Sequence, residues 1–326
     1  MNFFLNTPIT KSAVNISHQE QVLLLGSCFT ENIGEKLANQ KFKATTNPFG
    51  IIYNPISLAN ALHKIIEGYA YTENDLAEHQ TKYISFDHHG SFSSFEKQEC
   101  LNEINSEISS AHQQLPNTKT IIITLGTAWV YELIGSNKIV ANCHKIPAKQ
   151  FNKRLLSVDE VVFAFDKIIA QLKNVNVVFT VSPVRHISDG LHENNISKSV
   201  LHLAIHQLTN KHNNCHYFGA YEMVMDELRD YRFFKEDMIH PTNQAIDYVW
   251  EKFADTYFST ETKTLNQKIE KIISAATHKP FDFKSEAHQK FITDQLYQMD
   301  ELTKNHSFLS FEKEKEEIQQ LRYFYS

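Results

Sequence analysis

Three short, predominantly apolar runs mark the chain at residues 22–25, 121–125 and 175–181, the first of them wholly apolar, and each stops at turn chemistry: Gly26, Gly126 and Ser182-Pro183. Runs of this length without a polar alternation suit strands buried on both faces, as in a parallel sheet. Between and after them, residues 31–40, 56–67, 102–114, 158–173, 196–211 and 242–258 carry helix-compatible patterns. The alternation of strand and helix predicts an α/β fold with a parallel sheet covered on both sides. Residues 215–218 read as a fourth strand, and Gly50 follows a presumed further strand. Residues 129–134 and 138–141, separated by Gly135-Ser136-Asn137, predict a β-hairpin inserted after the second apolar run. A second hairpin is expected over residues 83–95, centred on Gly90.

From about Glu261 three helical patterns, 263–277, 285–304 and 310–323, follow one another with no strand between them. The chain is therefore divided into an α/β domain, 1–260, and a helical C-terminal extension, 261–326. The expected role of the extension is a cap on the sheet or a surface for homo-oligomer formation. Its charged stretch Glu312-Lys313-Glu314-Lys315-Glu316-Glu317 fits a solvated helix face.

Charge narrows the partners. In 326 residues, 32 basic and 38 acidic side chains are interspersed to a net charge of -6, so no nucleic acid partner is expected. The start, Met1-Asn2-Phe3-Phe4-Leu5-Asn6-Thr7-Pro8, has no basic region ahead of an apolar stretch, and no later segment reaches the roughly 20 apolar residues of a membrane span. No membrane association is expected. Cys28, Cys100, Cys143 and Cys215 lie apart without a CxxC spacing, as thiols in a reducing cytoplasm do, so a cytoplasmic location without disulfides, metal or cofactor is the expectation.

Two places carry candidate chemistry. Ser27 and Cys28 stand between a strand and the first turn of a helix, at the carboxyl edge of the sheet where open α/β folds bind ligands. The helix N-terminus offers free N–H groups and positive potential to a thiolate or an oxyanion. The plain alternatives are a helix N-cap for Ser27 and a small buried apolar residue for Cys28. The other place is Asp237-Met238-Ile239-His240-Pro241-Thr242, where a carboxylate three residues before a histidine can orient Nδ1–H and leave Nε2 for a nucleophile. An ordinary capping loop competes with that reading.

The remaining signals are weaker. Among 17 histidines, His202 and His206 stand one helical turn apart but lack the intervening Glu of a zincin, so metal is not favoured. His88-His89-Gly90 and Asn142-Cys143-His144-Lys145 follow predicted strands and read as loop residues. Arg185 and His186, beyond the third run, are placed to meet an anionic substrate group, with surface ion pairing of Arg185 as the alternative.

Gly26-Ser27-Cys28-Phe29-Thr30 resembles the signature of the GSCFA family, and the resemblance continues through Asn47-Pro48-Phe49-Gly50, Leu125-Gly126-Thr127-Ala128-Trp129, Ser182-Pro183-Val184-Arg185-His186 and the Asp-x-x-His-Pro loop. The paired features also resemble the wider SGNH/GDSL hydrolases. That resemblance implies a flavodoxin-like three-layer α/β/α domain and an esterase or acyltransferase with Cys28 as nucleophile, or Ser27 if the turn is shifted by one residue. It further implies His240 as base and Asp237 as its orienter. Gly50 and Gly126 fall at the glycine positions of the two middle blocks. Ala128 stands where the SGNH oxyanion Asn is expected, which leaves Thr127, a backbone N–H near Gly126, or Asn54 as candidate donors. The superfamily's natural substrate would be a small-molecule or glycan ester. A catalytically silent binding or scaffold protein is the competing expectation.

Overall fold

The computed structural model describes residues 5–8, 11–276 and 285–323. β1 (Gln21–Gly26) leads into α1 (Cys28–Asn39), β2 (Lys43–Thr46) and α2 (Pro55–Glu67), which starts on an Asn54 N-cap with Pro55 in its first turn. A small antiparallel pair, β3 (Ala77–His79) and β4 (Lys82–Ile84), precedes α3 (Lys97–Gln114) and the long β5 (Thr118–Leu125). β6 (Trp129–Leu133), β7 (Lys138–Ile139) and β8 (Phe151–Leu155) form a separate antiparallel sheet in the order β7-β6-β8. Then come α4 (Val158–Gln171), β9 (Asn176–Val181), α5 (Leu191–Lys211), β10 (Cys215–Tyr217), the helical turn α6 (Ala220–Glu222) running into a π-turn over Met223–Glu227, and α7 (Asn243–Tyr257).

The central sheet is wholly parallel, ordered β10-β9-β5-β1-β2. Successive strand residues face opposite sides, and the two sides feed two different cores. Leu23, Leu25, Ile121, Ile123, Val177 and Phe179 pack with α2, α3, α4 and α5. Val22, Leu24, Ile122 and Val178 pack with Phe29, Ile33 and Leu37 of α1 and with Val249, Trp250 and Phe253 of α7. This is the three-layer α/β/α arrangement. The chain crosses from β1 outward to β2 and then back to β5, so the strand order reverses between β1 and β5, and the carboxyl ends of those neighbours flank the crevice where such folds take ligands.

Two local expectations change. The reversal predicted at Gly90 occurs earlier, at Gln80-Thr81, whose φ values of 48° and 65° make a tight turn between β3 and β4 without glycine. Residues 83–95 are closed by one antiparallel bridge, Tyr83 to Ser94, and Gly90 opens a 3₁₀ turn. The hairpin of β6 and β7 gains a third strand, β8, paired along five residues of β6.

Beyond the sheet, α8 (Thr260–Ala276), α9 (Glu286–Asn305) and α10 (Glu312–Tyr323) share a core of Leu265, Ile269, Ile272, Ile292, Met299, Phe311 and Ile318. Thr277, the last residue of the first predicted pattern, lies outside the described residues. The extension meets the α/β layers where α1 ends: Lys41 Nζ donates to Glu314 at 2.6 Å and lies 5.5 Å from the Phe311 ring, and His18 stacks on Phe308. No described helix is long and apolar enough to cross a membrane.

Candidate active site

The turn after β1 is shaped by close approach. Gly26 has φ +146°, and a Cβ there would lie 2.4 Å from the Thr124 carbonyl oxygen of β5. Its N–H donates to Asn47 Oδ1 at 2.9 Å, and Thr30 Oγ1 donates to Thr124 Oγ1 at 2.7 Å, which pins α1 over β5. Ser27 is buried and caps α1, its Oγ accepting from Phe29 N–H. Cys28 is the first residue of α1 and half-buried. Its backbone N–H is one of the first-turn donors that a helix cannot pair. Burial and then the charge of Glu31 raise the Cys28 thiol, while the N–H groups of Phe29 and Cys28 and the charge of Lys198 pull it down. The balance leaves a neutral thiol at rest.

The loop ahead of α7 is a tight excursion with Met238 at φ 59°. Lys235 N–H donates to the His240 carbonyl at 2.7 Å, Thr242 N–H to the Phe233 carbonyl at 2.8 Å, and Thr242 then caps α7. Inside this frame Asp237 Oδ1 accepts the N–H of Ile239 and of His240, both at 2.9 Å, and His240 Nδ1–H donates to Asp237 Oδ2 at 2.7 Å. Those backbone and imidazole donors hold the Asp237 carboxyl down at about 2. The tautomer so fixed leaves Nε2 of the half-exposed His240 available. Among the described residues no hydrogen bond joins Cys28 to His240. Near them, the Tyr53 ring meets His186 edge-on at 5.3 Å.

The other predicted residues divide by place. Gly50, at φ +72°, permits the approach of His89, whose Cβ would lie 2.3 Å from an added Cβ. Asn54 Oδ1 accepts Ser57 N–H, and its Nδ2 donates to Ser57 Oγ and to the Val140 carbonyl. The N–H groups of Gly126 and Thr127 both donate to the Tyr53 carbonyl, at 2.8 and 3.1 Å, and Thr127 Oγ1 meets Ser197 Oγ at 3.0 Å. Each candidate oxyanion donor drawn from this group is thus engaged with the protein itself. Asn54, Thr127 and His186 line one cavity of about 250 Å³ with Tyr53, Trp129, Tyr131 and Asp189. Arg185 turns away into a neighbouring cavity of about 490 Å³ and lies over the Phe234 ring at 4.9 Å. His186 is held neutral, its pKa lowered by burial and by Lys198 to about 4.

Lys198 is absent from the residues singled out by sequence, yet it is buried between the loops that follow β5 and β9. The buried stripe of α5 is Asn194, Ser197, Lys198, Leu201, Ala204, Ile205 and Leu208, a 3-4 spacing whose first three members are polar. Each serves a strand-end loop: Asn194 Oδ1 accepts His186 N–H, Ser197 Oγ accepts Ala128 N–H, and Lys198 Nζ donates to the carbonyls of Gly126 and Ser182 at 2.6 and 2.7 Å. Burial lowers Lys198 to about 7, and Cys28 draws it back upward. Three polar residues on an otherwise apolar helix face were the available signal. Asn47, which holds the turn at Gly26, was signalled only by its place in Asn47-Pro48-Phe49-Gly50.

Outside the site, His202 faces Glu222 and Tyr221 while His206 meets Asn210, so those two imidazoles have separate partners. Among the described residues no three His, Cys, Asp or Glu side chains are grouped to hold a metal ion.

Comparison with known proteins gives two matches. The model of the GSCFA family matches residues 21–253, and that of the GSCFA domain protein, C-terminal domain, matches residues 269–322. No curated protein and no solved structure matches the chain.

Proposed function

The chain belongs to the GSCFA family, and from that premise we propose that it is an SGNH-like enzyme of acyl-group chemistry, an esterase or acyltransferase working through a covalent intermediate on Cys28. In this reading Cys28 Sγ bonds to the acyl carbon of an ester, the bond to the alcohol breaks, and the thiol's proton is carried to the leaving oxygen. Water, an alcohol or an amine then attacks the thioester, giving its proton to His240 Nε2, which returns it to Sγ. Asp237 keeps the imidazole in the tautomer that this requires. Cys28 is preferred to Ser27 because it is half-buried, whereas Ser27 is buried and accepts a helix N–H. The Cys28 N–H at the helix start is the donor presented to an oxyanion. A small-molecule or glycan ester is the substrate class proposed, in a cytoplasmic setting.

The single observation that carries this reading is the Asp237–His240 hydrogen bond at 2.7 Å, which fixes the imidazole tautomer and leaves Nε2 available. One observation favours the competing reading of a silent binding protein: the Cys28 thiol is raised and makes no hydrogen bond to His240. Intact mass after exposure to 4-nitrophenyl acetate separates them. The enzyme gains one acetyl group that is absent in Cys28→Ala, and its loss with time is slowed in His240→Ala. An adduct that follows Ser27 moves the nucleophile by one residue, and no His240-dependent chemistry at all would leave the binding protein.

A further inference from the structure

We propose that Lys198 is the group that takes the proton from Cys28. This rests on the acyl-enzyme reading and transfers to Lys198 the deprotonation of the nucleophile, which the sequence expectation assigned to His240.

The geometry is specific. β1 and β5 are aligned with Gly26 opposite Thr124, so Cys28 and Gly126 each stand two residues beyond that pair, at the same edge of the sheet. Lys198 Nζ is anchored there by the Gly126 carbonyl and by the Ser182 carbonyl at the end of β9. A neutral amine has two N–H donors and one lone pair, and an ammonium has three donors. Two carbonyls therefore satisfy the hydrogens of the neutral form and leave its lone pair as the remaining position. Among the described residues no carboxylate lies within ion-pair reach of Lys198, so nothing compels it to stay charged in a site where it is 2% exposed. Its pKa near 7 and its mutual interaction with Cys28 agree with this placement. His240 stands on the loop ahead of α7, where its Nδ1–H is committed to Asp237.

The step balances simply. As Sγ forms its bond to the acyl carbon, the S–H bond breaks and the proton passes to the Nζ lone pair. The resulting ammonium yields that proton to the alcohol oxygen as the C–O bond breaks. Lys198 thus serves formation of the thioester, and His240 serves its cleavage.

The test is the rate of Cys28 alkylation by iodoacetamide against pH, in the wild type, Lys198→Met and His240→Ala, with Cys28→Ala to identify the modified residue. Lys198→Met should slow alkylation at pH 7.5 by about tenfold or more, the effect of one unit in thiol pKa, and His240→Ala should leave the profile in place. A profile unmoved by Lys198→Met, or moved instead by His240→Ala, overturns the assignment of Lys198 even where 4-nitrophenyl acetate still acetylates Cys28. Absence of that adduct in the wild type overturns both the assignment and the reading beneath it. Should Lys198→Met not fold, lysine ¹³Cε NMR of the wild type gives the same decision: a resonance titrating near neutral pH that shifts in Cys28→Ala supports the step, and none overturns it.

Discussion

Asp237 grips His240 twice, taking the backbone N–H of His240 on one carboxylate oxygen and its Nδ1–H on the other. The ring is therefore fixed in position by the backbone bond and in tautomer by the side-chain bond. Asp237→Asn can keep one acceptor but presents an NH₂ group to the other position, and the imidazole would then favour the opposite tautomer. We expect ester turnover to fall by roughly 10²–10⁴-fold with Cys28 still present and the fold intact, as read from nitrophenol release beside circular dichroism. Unchanged turnover would remove Asp237 from the site.

Ser27 and Cys28 are adjacent yet separable. Ser27→Ala loses the N-cap of α1 and should lower stability by about 1 kcal/mol in urea unfolding while the acetyl adduct persists. Cys28→Ala should abolish the adduct. The opposite pairing would exchange their roles.

Gly26 admits no side chain. An alanine there would place Cβ against the Thr124 carbonyl oxygen and force an unfavourable φ. The Gly26→Ala protein should lose about 2 kcal/mol or more or be recovered insoluble. Measured unfolding within a few tenths of wild type would contradict the close approach of β1 and β5.

Acid should weaken the fold through histidines buried in neutral form. Burial lowers His18 and His186 to about 4 and His88 to about 3. Below the ordinary histidine value of about 6.5 the unfolded chain binds protons that the folded chain refuses, so stability is fully present above that pH and declines toward 4 and below. His88, stacked on Phe49 at 4.5 Å with Nδ1 on Ser85 Oγ, offers the control. In His88→Phe the urea midpoint should decline less steeply between pH 6.5 and 4 than in the wild type. Equal slopes would show that His88 does not contribute.

How much of this was legible follows from what each residue had to satisfy. β1, β5 and β9 announced themselves because both faces of each strand are buried, which calls for runs dominated by apolar residues with only threonine or a strand-end asparagine among them. β2, with Lys43-Ala44-Thr45-Thr46 at the sheet edge, and β8, with Phe151-Asn152-Lys153-Arg154-Leu155, carry polar residues on solvent-facing positions and have no comparable signature. The turn at Gln80-Thr81 lacked the glycine that normally reveals a left-handed pair. At the site, Asp237 and His240 were legible because their contact is local in sequence. Lys198 was not, since its partners Gly126 and Ser182 lie 72 and 16 residues away and only the folded sheet brings their carbonyls together. The loss of Gly126 and Thr127 N–H groups to Tyr53 was hidden for the same reason.

The division of each strand between two apolar cores carries a consequence for how the sheet finds its alignment. With both faces oily, sliding β1 along β5 by a residue would exchange one greasy surface for another, and hydrophobicity alone would penalise it little. What distinguishes the native alignment is the set of polar fastenings at the carboxyl edge: Gly26 to Asn47, Thr30 to Thr124, Tyr53 to Gly126 and Thr127, and Lys198 to Gly126 and Ser182. Two of these residues, Tyr53 and Thr127, also line the cavity beside the candidate site. Substitutions there act on the ruler by which the strands are measured against each other, so an exchange that breaks a fastening will also disturb the alignment of the sheet.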